Sequence, residues 1–475
     1  MSIFSDKFFG NFIIVKFQLN SYLICFVLRK QALLIFDIFL CIIIRVNNLK
    51  VSFYTLGCKV NSYESQIMRK EFENHGWQIV KFCDDADAVV VHSCAVTEES
   101  SRKTRQMLRK ARRFCPDACI AVVGCLAQIS PESLRDIADV VSGSKDKKRI
   151  VSLVTDYMFS HEKTENISDI SHEHVFEKMI LENGEKTRAQ IKIEDGCDNF
   201  CSYCIIPYAR GRVRSKSVED VMEEVSGLVE KGYSEIVLTG IQLDAYRSGI
   251  VSLPGLLEKI DDIPGLLRIR LGSLEPSFIN NTNVAVLKKI KHLCPHFHLS
   301  LQSGCNDVLR RMNRHYTTEE FFDAVMLLRE NFENVSITTD IIAGFPGESD
   351  ADFLQTVAFA KKAEFSKIHV FPFSPREGTV AYTMSPRVSP DIKKKRVAEL
   401  LEVDAELAKH FACCQKGRTL SVLFEQKKNG YFIGYAENYV QVAVKTDKNL
   451  ENIVRKVKII DVSDGICFGV LESDK

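Results

Sequence analysis

Three cysteines, Cys197, Cys201 and Cys204, share the short stretch Asp195-Gly196-Cys197-Asp198-Asn199-Phe200-Cys201-Ser202-Tyr203-Cys204. Thiolates suit zinc and iron–sulfur clusters. Three this close cannot close a tetrahedral zinc site without a fourth ligand from elsewhere. They can hold three irons of a [4Fe–4S] cube and leave the fourth iron open to a small molecule that chelates through a nitrogen and an oxygen. Structural or zinc-binding cysteines are the plain alternative. Cys58, Cys94 and Cys125 follow apolar runs at Val51 to Leu56, Asp87 to His92 and Ala118 to Val123. If those runs are parallel strands, the three thiols meet at the carboxyl edge of one sheet, where open α/β sheets bind ligands. There they could hold a second cluster. Buried structural cysteines are the alternative for this set.

The elements that must position these thiols read as three domains. Residues 50–160 alternate strand and helix patterns, with helices at Asn61 to His75, Thr97 to Phe114 and Pro131 to Ala138. This predicts an N-terminal open parallel α/β sheet. Residues 161–186 are polar and read as a linker. Residues 187–413 repeat the alternation, with strands at Ala189 to Glu194, Glu235 to Thr239, Leu267 to Leu271, Phe297 to Leu301, Val335 to Ile341 and Lys367 to Phe371. The intervening helices include Val218 to Lys231, Thr318 to Asn331 and Asp350 to Ala363. Six units predict a central partial (β/α)6 barrel, since a full barrel takes about 250 residues. Polar residues at its strand ends, Gln302 and Asp340 among them, face the edge where barrel chemistry is done. Residues 414–475 switch to five short strands, which predicts a small β-barrel. The fold class is therefore α/β with a C-terminal all-β module.

Composition narrows the partners. The net charge is +1 over 475 residues, so any polyanion must be met by a local patch. Arg102, Lys103, Arg105, Arg109, Lys110, Arg112 and Arg113 on the second helix form such a patch, suited to a phosphate backbone or simply to solvent. In the last domain Lys427, Lys428, Lys445, Lys448, Arg455, Lys456 and Lys458 are interleaved with Tyr431, Phe432, Tyr435 and Tyr439, a mixture that can bind RNA by charge and stacking. Sixteen cysteines in a chain this long fit cluster ligation in a reducing compartment better than a disulfide framework. Residues 1–49 form an apolar leader. Arg29, Lys30 and Asp37 leave no run of about 18–20 residues for a membrane span. The expectation is a mis-assigned start, with the chain proper opening near Leu49-Lys50.

The spacing of Cys197, Cys201 and Cys204 resembles the defining motif of the radical-SAM superfamily. Both cysteine sets and the terminal barrel, from about residue 50 to 475, together resemble the methylthiotransferases. Gly57-Cys58-Lys59-Val60-Asn61 and Ile205-Ile206-Pro207-Tyr208-Ala209-Arg210-Gly211 resemble the subgroup acting on N6-threonylcarbamoyladenosine in tRNA. The isopentenyladenosine subgroup usually has Gln-Met where Lys59-Val60 stands, and the ribosomal-protein subgroup Pro-Lys. His92-Ser93 before Cys94 departs from the commoner Asn-Thr. The resemblance implies an enzyme that methylthiolates C2 of the modified adenosine at position 37. One S-adenosylmethionine would supply the methyl group and a second the radical. It implies two [4Fe–4S] clusters, one on Cys58, Cys94 and Cys125 and one on Cys197, Cys201 and Cys204, with a C-terminal TRAM domain. Gln302, Arg314 and Asp340 are the expected contacts of the adenosyl group. The implied partners are the tRNA anticodon loop and an electron donor such as flavodoxin or ferredoxin, in the cytoplasm and with no stable membrane partner. The competing readings are a methylthiotransferase for a ribosomal protein or for isopentenyladenosine, and an iron–sulfur electron carrier.

Overall fold

A computed structural model describes residues 49–184 and 187–472. The leader expectation concerns residues almost wholly outside that range. The first domain is a six-stranded, all-parallel sheet. Its centre is Lys50–Thr55, Ala88–Ser93 and Cys119–Gly124, the last two buried along their whole length. Burial on both faces explains why these strands are continuous runs of Val, Ile and Ala rather than alternating ones. Helices Lys59–Asn74, Glu98–Phe114 and Ile150–Ser160 cover the sheet. Thr97 caps the second of these by accepting from the Ser100 amide at 3.1 Å.

Two expectations in this domain are corrected. Pro131 to Ala138 is not a helix. A short helix, Cys125–Ile129, comes first, and only the 3-10 turn Pro131–Ser133 follows it. Ser130-Pro131 breaks the ladder, because proline brings no amide hydrogen to continue it. The polar stretch from 161 also begins with structure: Thr164–Asn166 pairs with Val140–Ser142 as the sixth strand. Its polarity reflects its place at the sheet edge.

The central domain has the six expected strand positions: Ala189–Lys192, Glu235–Thr239, Arg268–Leu271 with Ser273–Leu274, His296–Gln302, Ser336–Ala343 and Lys367–Pro372. The third strand is broken at Gly272. Arg268–Leu271 pairs backward with Glu235–Thr239, and Ser273–Leu274 pairs forward with His296–Gln302. The result is a curved parallel sheet with two free edges. The first domain fills the gap between them. Helix Lys59–Asn74 packs on the first strand, and its Tyr63 and Ile67 join the barrel's apolar core. Past the last strand, Arg376 reaches Glu98 at 2.8 Å and Ser101 at 3.0 Å. Helix Pro390–Cys413 leads to the closed five-stranded barrel of Thr419–Lys428, Tyr431–Ala436, Gln441–Val444, Val454–Ser463 and Ile466–Leu471. That barrel sits at the amino ends of the central strands. There Arg268 donates to Tyr435 O and Ser421 Oγ, each at 3.1 Å, and Arg270 donates to Glu437 O at 3.0 Å.

Candidate active site

The two cysteine sets meet where the first domain closes the central barrel. Cys58 caps helix Lys59–Asn74, Cys94 follows strand Ala88–Ser93, and Cys125 opens the short helix after strand Cys119–Gly124. Ser93 ties the last two together. Its hydroxyl donates to Val123 O at 2.8 Å and accepts from Leu126 N at 3.2 Å and Ala127 N at 3.4 Å. The departure from the commoner threonine therefore keeps the hydroxyl that positions Cys125. Asn61 ties in the first cysteine, donating to Leu56 O at 2.8 Å and Ser93 O at 3.0 Å. Gly57 must be glycine. Its φ is +102°, and a Cβ there would lie 3.0 Å from Cys94 Sγ.

The second set lies in a loop strapped on both sides. Cys197 N donates to Gly211 O at 3.1 Å, and Ser202 donates from N to Met312 O at 3.0 Å and from Oγ to Arg311 O at 2.8 Å. Asn199 N approaches Cys197 Sγ at 3.5 Å, and Arg314 Nη1 reaches Cys201 Sγ at 3.1 Å. Short helices Cys125–Ile129 and Ile206–Arg210 pack on each other, joining the two sets.

The thiols raise one another's proton affinity. Burial, then Cys125, pushes the Cys94 thiol up to about 11. Burial, then Cys201, pushes Cys204 up to about 12, and Cys125 adds to it from the other set. Grouped thiols that are costly to ionise alone become ligands when a cationic centre takes the place of their protons. Each set therefore fits an iron–sulfur cube, with three neighbouring thiols and no fourth protein ligand needed, and in the second set N–H donors lie on the sulfurs of Cys197 and Cys201.

A buried ionic centre connects the sets, and sequence reasoning missed it. Arg210, fully buried, donates to Glu64 Oε1 at 3.0 Å and Oε2 at 3.1 Å, to Asp195 Oδ1 at 3.0 Å and to Asn61 Oδ1 at 2.7 Å. Lys192 reaches Glu64 and Asp195, both at 2.6 Å, Arg214 reaches Asp195 at 3.0 Å, and Lys147 lies 3.3 Å from Glu64. Burial alone would raise the Glu64 carboxyl, but Arg210, Lys147 and Lys192 hold it well below the usual range. Four cations, Arg210, Lys192, Arg214 and Lys147, thus gather round two carboxylates, Glu64 and Asp195, between the two cysteine sets. The one local signal was the charged run Glu194-Asp195 ending an apolar strand; Glu64 reads as an ordinary helix-surface residue.

The expected adenosyl contacts fall in different places. Gln302 ends its strand in the left-handed conformation, φ +69°. Arg314 is fixed at the cysteine loop: besides Cys201 it pairs with Glu275 and donates to Tyr316 Oη at 3.0 Å and Ser300 O at 3.3 Å. Asp340 faces His298 Nε2 at 3.2 Å, deeper in the barrel.

The basic surfaces are partly spent. Arg102, Arg105 and Arg112 pair with Glu99, Glu98 and Asp139, so Lys103, Arg109, Lys110 and Arg113 carry the open charge on that helix. The terminal barrel offers fewer stacking aromatics than expected. Phe432 is in its core, and Tyr435 and Tyr439 stack at 5.0 Å beneath Arg188 where the barrel meets the central domain. Burying their apolar faces there outweighs leaving them in solvent. Its lysines remain exposed.

Comparison with known proteins agrees with this geometry. Residues 191–360 match the Radical SAM superfamily, and residues 50–143 match the family described as Uncharacterized protein family UPF0004. The chain is 37% identical over 421 residues to the threonylcarbamoyladenosine tRNA methylthiotransferase MtaB of Bacillus subtilis, covering 86% of this chain and 93% of that protein. It is 40% identical over 393 residues to the MtaB of Thermotoga maritima, covering 82% and 89%. The chain belongs to the MtaB methylthiotransferase family. Among solved structures, the radical S-adenosylmethionine methyltransferase TsrM of Kitasatospora setae aligns with a TM-score of 0.52 at 13% identity, over 71% of this chain and 77% of that one. That likeness is one of fold. The MtaB matches, by contrast, cover 82–86% of this chain.

Proposed function

We propose that this chain methylthiolates C2 of N6-threonylcarbamoyladenosine at position 37 of tRNA, with S-adenosylmethionine as methyl donor and as radical source. The observation that carries the reading is the meeting of two cysteine sets at one barrel mouth, joined through Asn61 and Arg210. Relatives named for this activity over nearly their whole length support it. Cys197, Cys201 and Cys204 would hold the radical cluster, and Cys58, Cys94 and Cys125 the auxiliary one. When bound, these groups supply homolytic C–S cleavage and the sulfur, chemistry that no side chain offers to an unactivated aromatic carbon.

The chain's own residues position and exclude. Arg314 holds the Cys201 loop, Gln302 at its strand end would contact the adenosyl group, and Ser93 with Asn61 fixes the auxiliary thiols. The first domain closes the barrel's open side and brings the auxiliary thiols to it. The target base must be splayed from the anticodon loop to enter, with Lys103, Arg109, Lys110, Arg113 and the lysines of the terminal barrel receiving the backbone. A one-electron donor of the flavodoxin or ferredoxin type completes the system, and work on tRNA implies the cytoplasm. No helix among the described residues is long and apolar enough to cross a membrane.

Mass spectrometry of nucleosides from tRNA of a deletion strain tests the reading. The methylthio derivative should vanish while threonylcarbamoyladenosine persists, and the wild-type gene but not Cys94→Ala should restore it. Unchanged tRNA would overturn the assignment. Loss of methylthio-isopentenyladenosine instead would keep the reaction class and overturn the substrate.

A further inference from the structure

Three adjacent barrel strands bring potential metal ligands together in the lumen: His298 from His296–Gln302, Asp340 from Ser336–Ala343 and His369 from Lys367–Pro372. The register places them together. Asp340 and His369 are direct partners, and His298 pairs with Thr338, two residues before Asp340 on the same face. One ligand atom from each of the three lies within 4.8 Å of the others. His298 Nε2 and Asp340 Oδ2 are 3.2 Å apart, and the two imidazoles 5.7 Å between centroids. Ligands bound at about 2.1 Å around one ion sit roughly 3.0–3.5 Å from each other, so the His298–Asp340 spacing already suits a shared cation. A second observation concerns orientation. Thr338 Oγ lies 2.9 Å from His298 Nδ1 and occupies that nitrogen, which leaves Nε2 turned toward Asp340. Fixing the far nitrogen of a ligand imidazole is how metal sites set its tautomer and direction.

We propose that His298, Asp340 and His369 form a binding site for a divalent first-row transition cation in the barrel lumen, distinct from both cysteine sets. Two imidazoles and one carboxylate on a common face match zinc, iron(II) or cobalt(II), and they leave positions open toward the lumen. The site lies below the cysteine loop: Arg314, which holds Cys201, binds Ser300 O, two residues past His298 toward the strand end. Its ligands are nitrogen and oxygen, whereas the cysteine sets offer sulfur. It requires neither cluster and does not depend on which nucleoside is the substrate.

Co2+ is the probe, added to the full chain with its cysteine sets already loaded with iron and sulfide under anaerobic conditions. The background is Cys413→Ser/Cys414→Ser, which removes an exposed thiol pair near His410. Cobalt counted after desalting, together with the EPR signal of high-spin Co2+ (oxidised clusters have paired spins and do not mask it), should show one nitrogen- and oxygen-ligated ion per chain. His369→Ala, at an exposed edge-strand position, and Asp340→Asn should each lose that equivalent or weaken it at least tenfold, with iron content unchanged. No saturable Co2+, or equal retention by both variants, would overturn the site.

Discussion

At the residue scale, the site rests on buried charged side chains that hold the cysteine loops and the elements beside them. Arg314 is one: held by Glu275, Tyr316 and Ser300, it presents Nη1 to Cys201 Sγ. Loss of an outer partner of a metal ligand costs about 10–100-fold in affinity or activity. Arg314→Gln should therefore lower iron retention at the Cys197 loop by that order while the Cys58 set keeps its iron, as measured by iron and sulfide counting against chelator. Glu64 is another. It is buried among Arg210, Lys192 and Lys147, and removing one member of a buried charge set costs about 3–5 kcal/mol because the remaining charges lose compensation. Denaturant unfolding of Glu64→Gln should show a loss of that size; a change under about 1 kcal/mol, the worth of an exposed pair, would mean water reaches the centre.

At the scale of elements, the decisive pieces are the turn that carries each cysteine and the helix beside it. Gly57 and Gly124 hold φ +102° and +104°, and a Cβ on Gly124 would come within 2.7 Å of His92. Substituting Gly124→Ala should cost more than the roughly 1–3 kcal/mol of strain at φ +104° and ψ −153°, since His92 is packed against Ser65 and Glu64 and has little room to move. The expected result is a lower melting temperature with iron lost first from the Cys58 set. Helix Glu98–Phe114 belongs to the same scale, since its outer face carries the open charge. Arg109→Glu with Arg113→Glu should weaken tRNA binding and flatten its salt dependence by about one unit of slope for each phosphate no longer neutralised. Filter binding across a salt series reads this, and an unchanged slope would place the tRNA elsewhere.

At the scale of the whole molecule, the central sheet is incomplete alone and is finished by its neighbours. The first domain spans its free edges, and the terminal barrel plugs the amino ends of its strands. Glu235 anchors the second of these interfaces, with Arg270 Nε at 2.7 Å and Arg268 at 3.2 Å. Burial pushes its carboxyl up, but Arg270, Arg268 and Arg188 outweigh this and hold it below the usual range. A depressed folded value gives stability that is complete above the unfolded value of about 4.3 and is lost as pH falls through the folded one. Thermal stability should thus drop below about pH 4, and Glu235→Gln should lack that part of the drop while being less stable at neutral pH. Parallel pH profiles for the two proteins would remove Glu235 from the account.

The thiol spacing Cys197, Cys201, Cys204, the strand-end positions of Cys58, Cys94 and Cys125, and the alternation that makes a parallel sheet, a six-strand barrel and a five-strand barrel were determined by sequence alone. Each depends on neighbours within a turn or a strand, where periodicity and spacing are the physics. The tertiary structure decided what depends on distant partners. Glu64 and Arg210, 146 residues apart, form a buried ion pair that no local pattern announces. Tyr435 and Tyr439 looked ready to stack on RNA until the central domain took their faces. His298, Asp340 and His369 sit on three separate strands, and only the register of a parallel sheet sets them side by side.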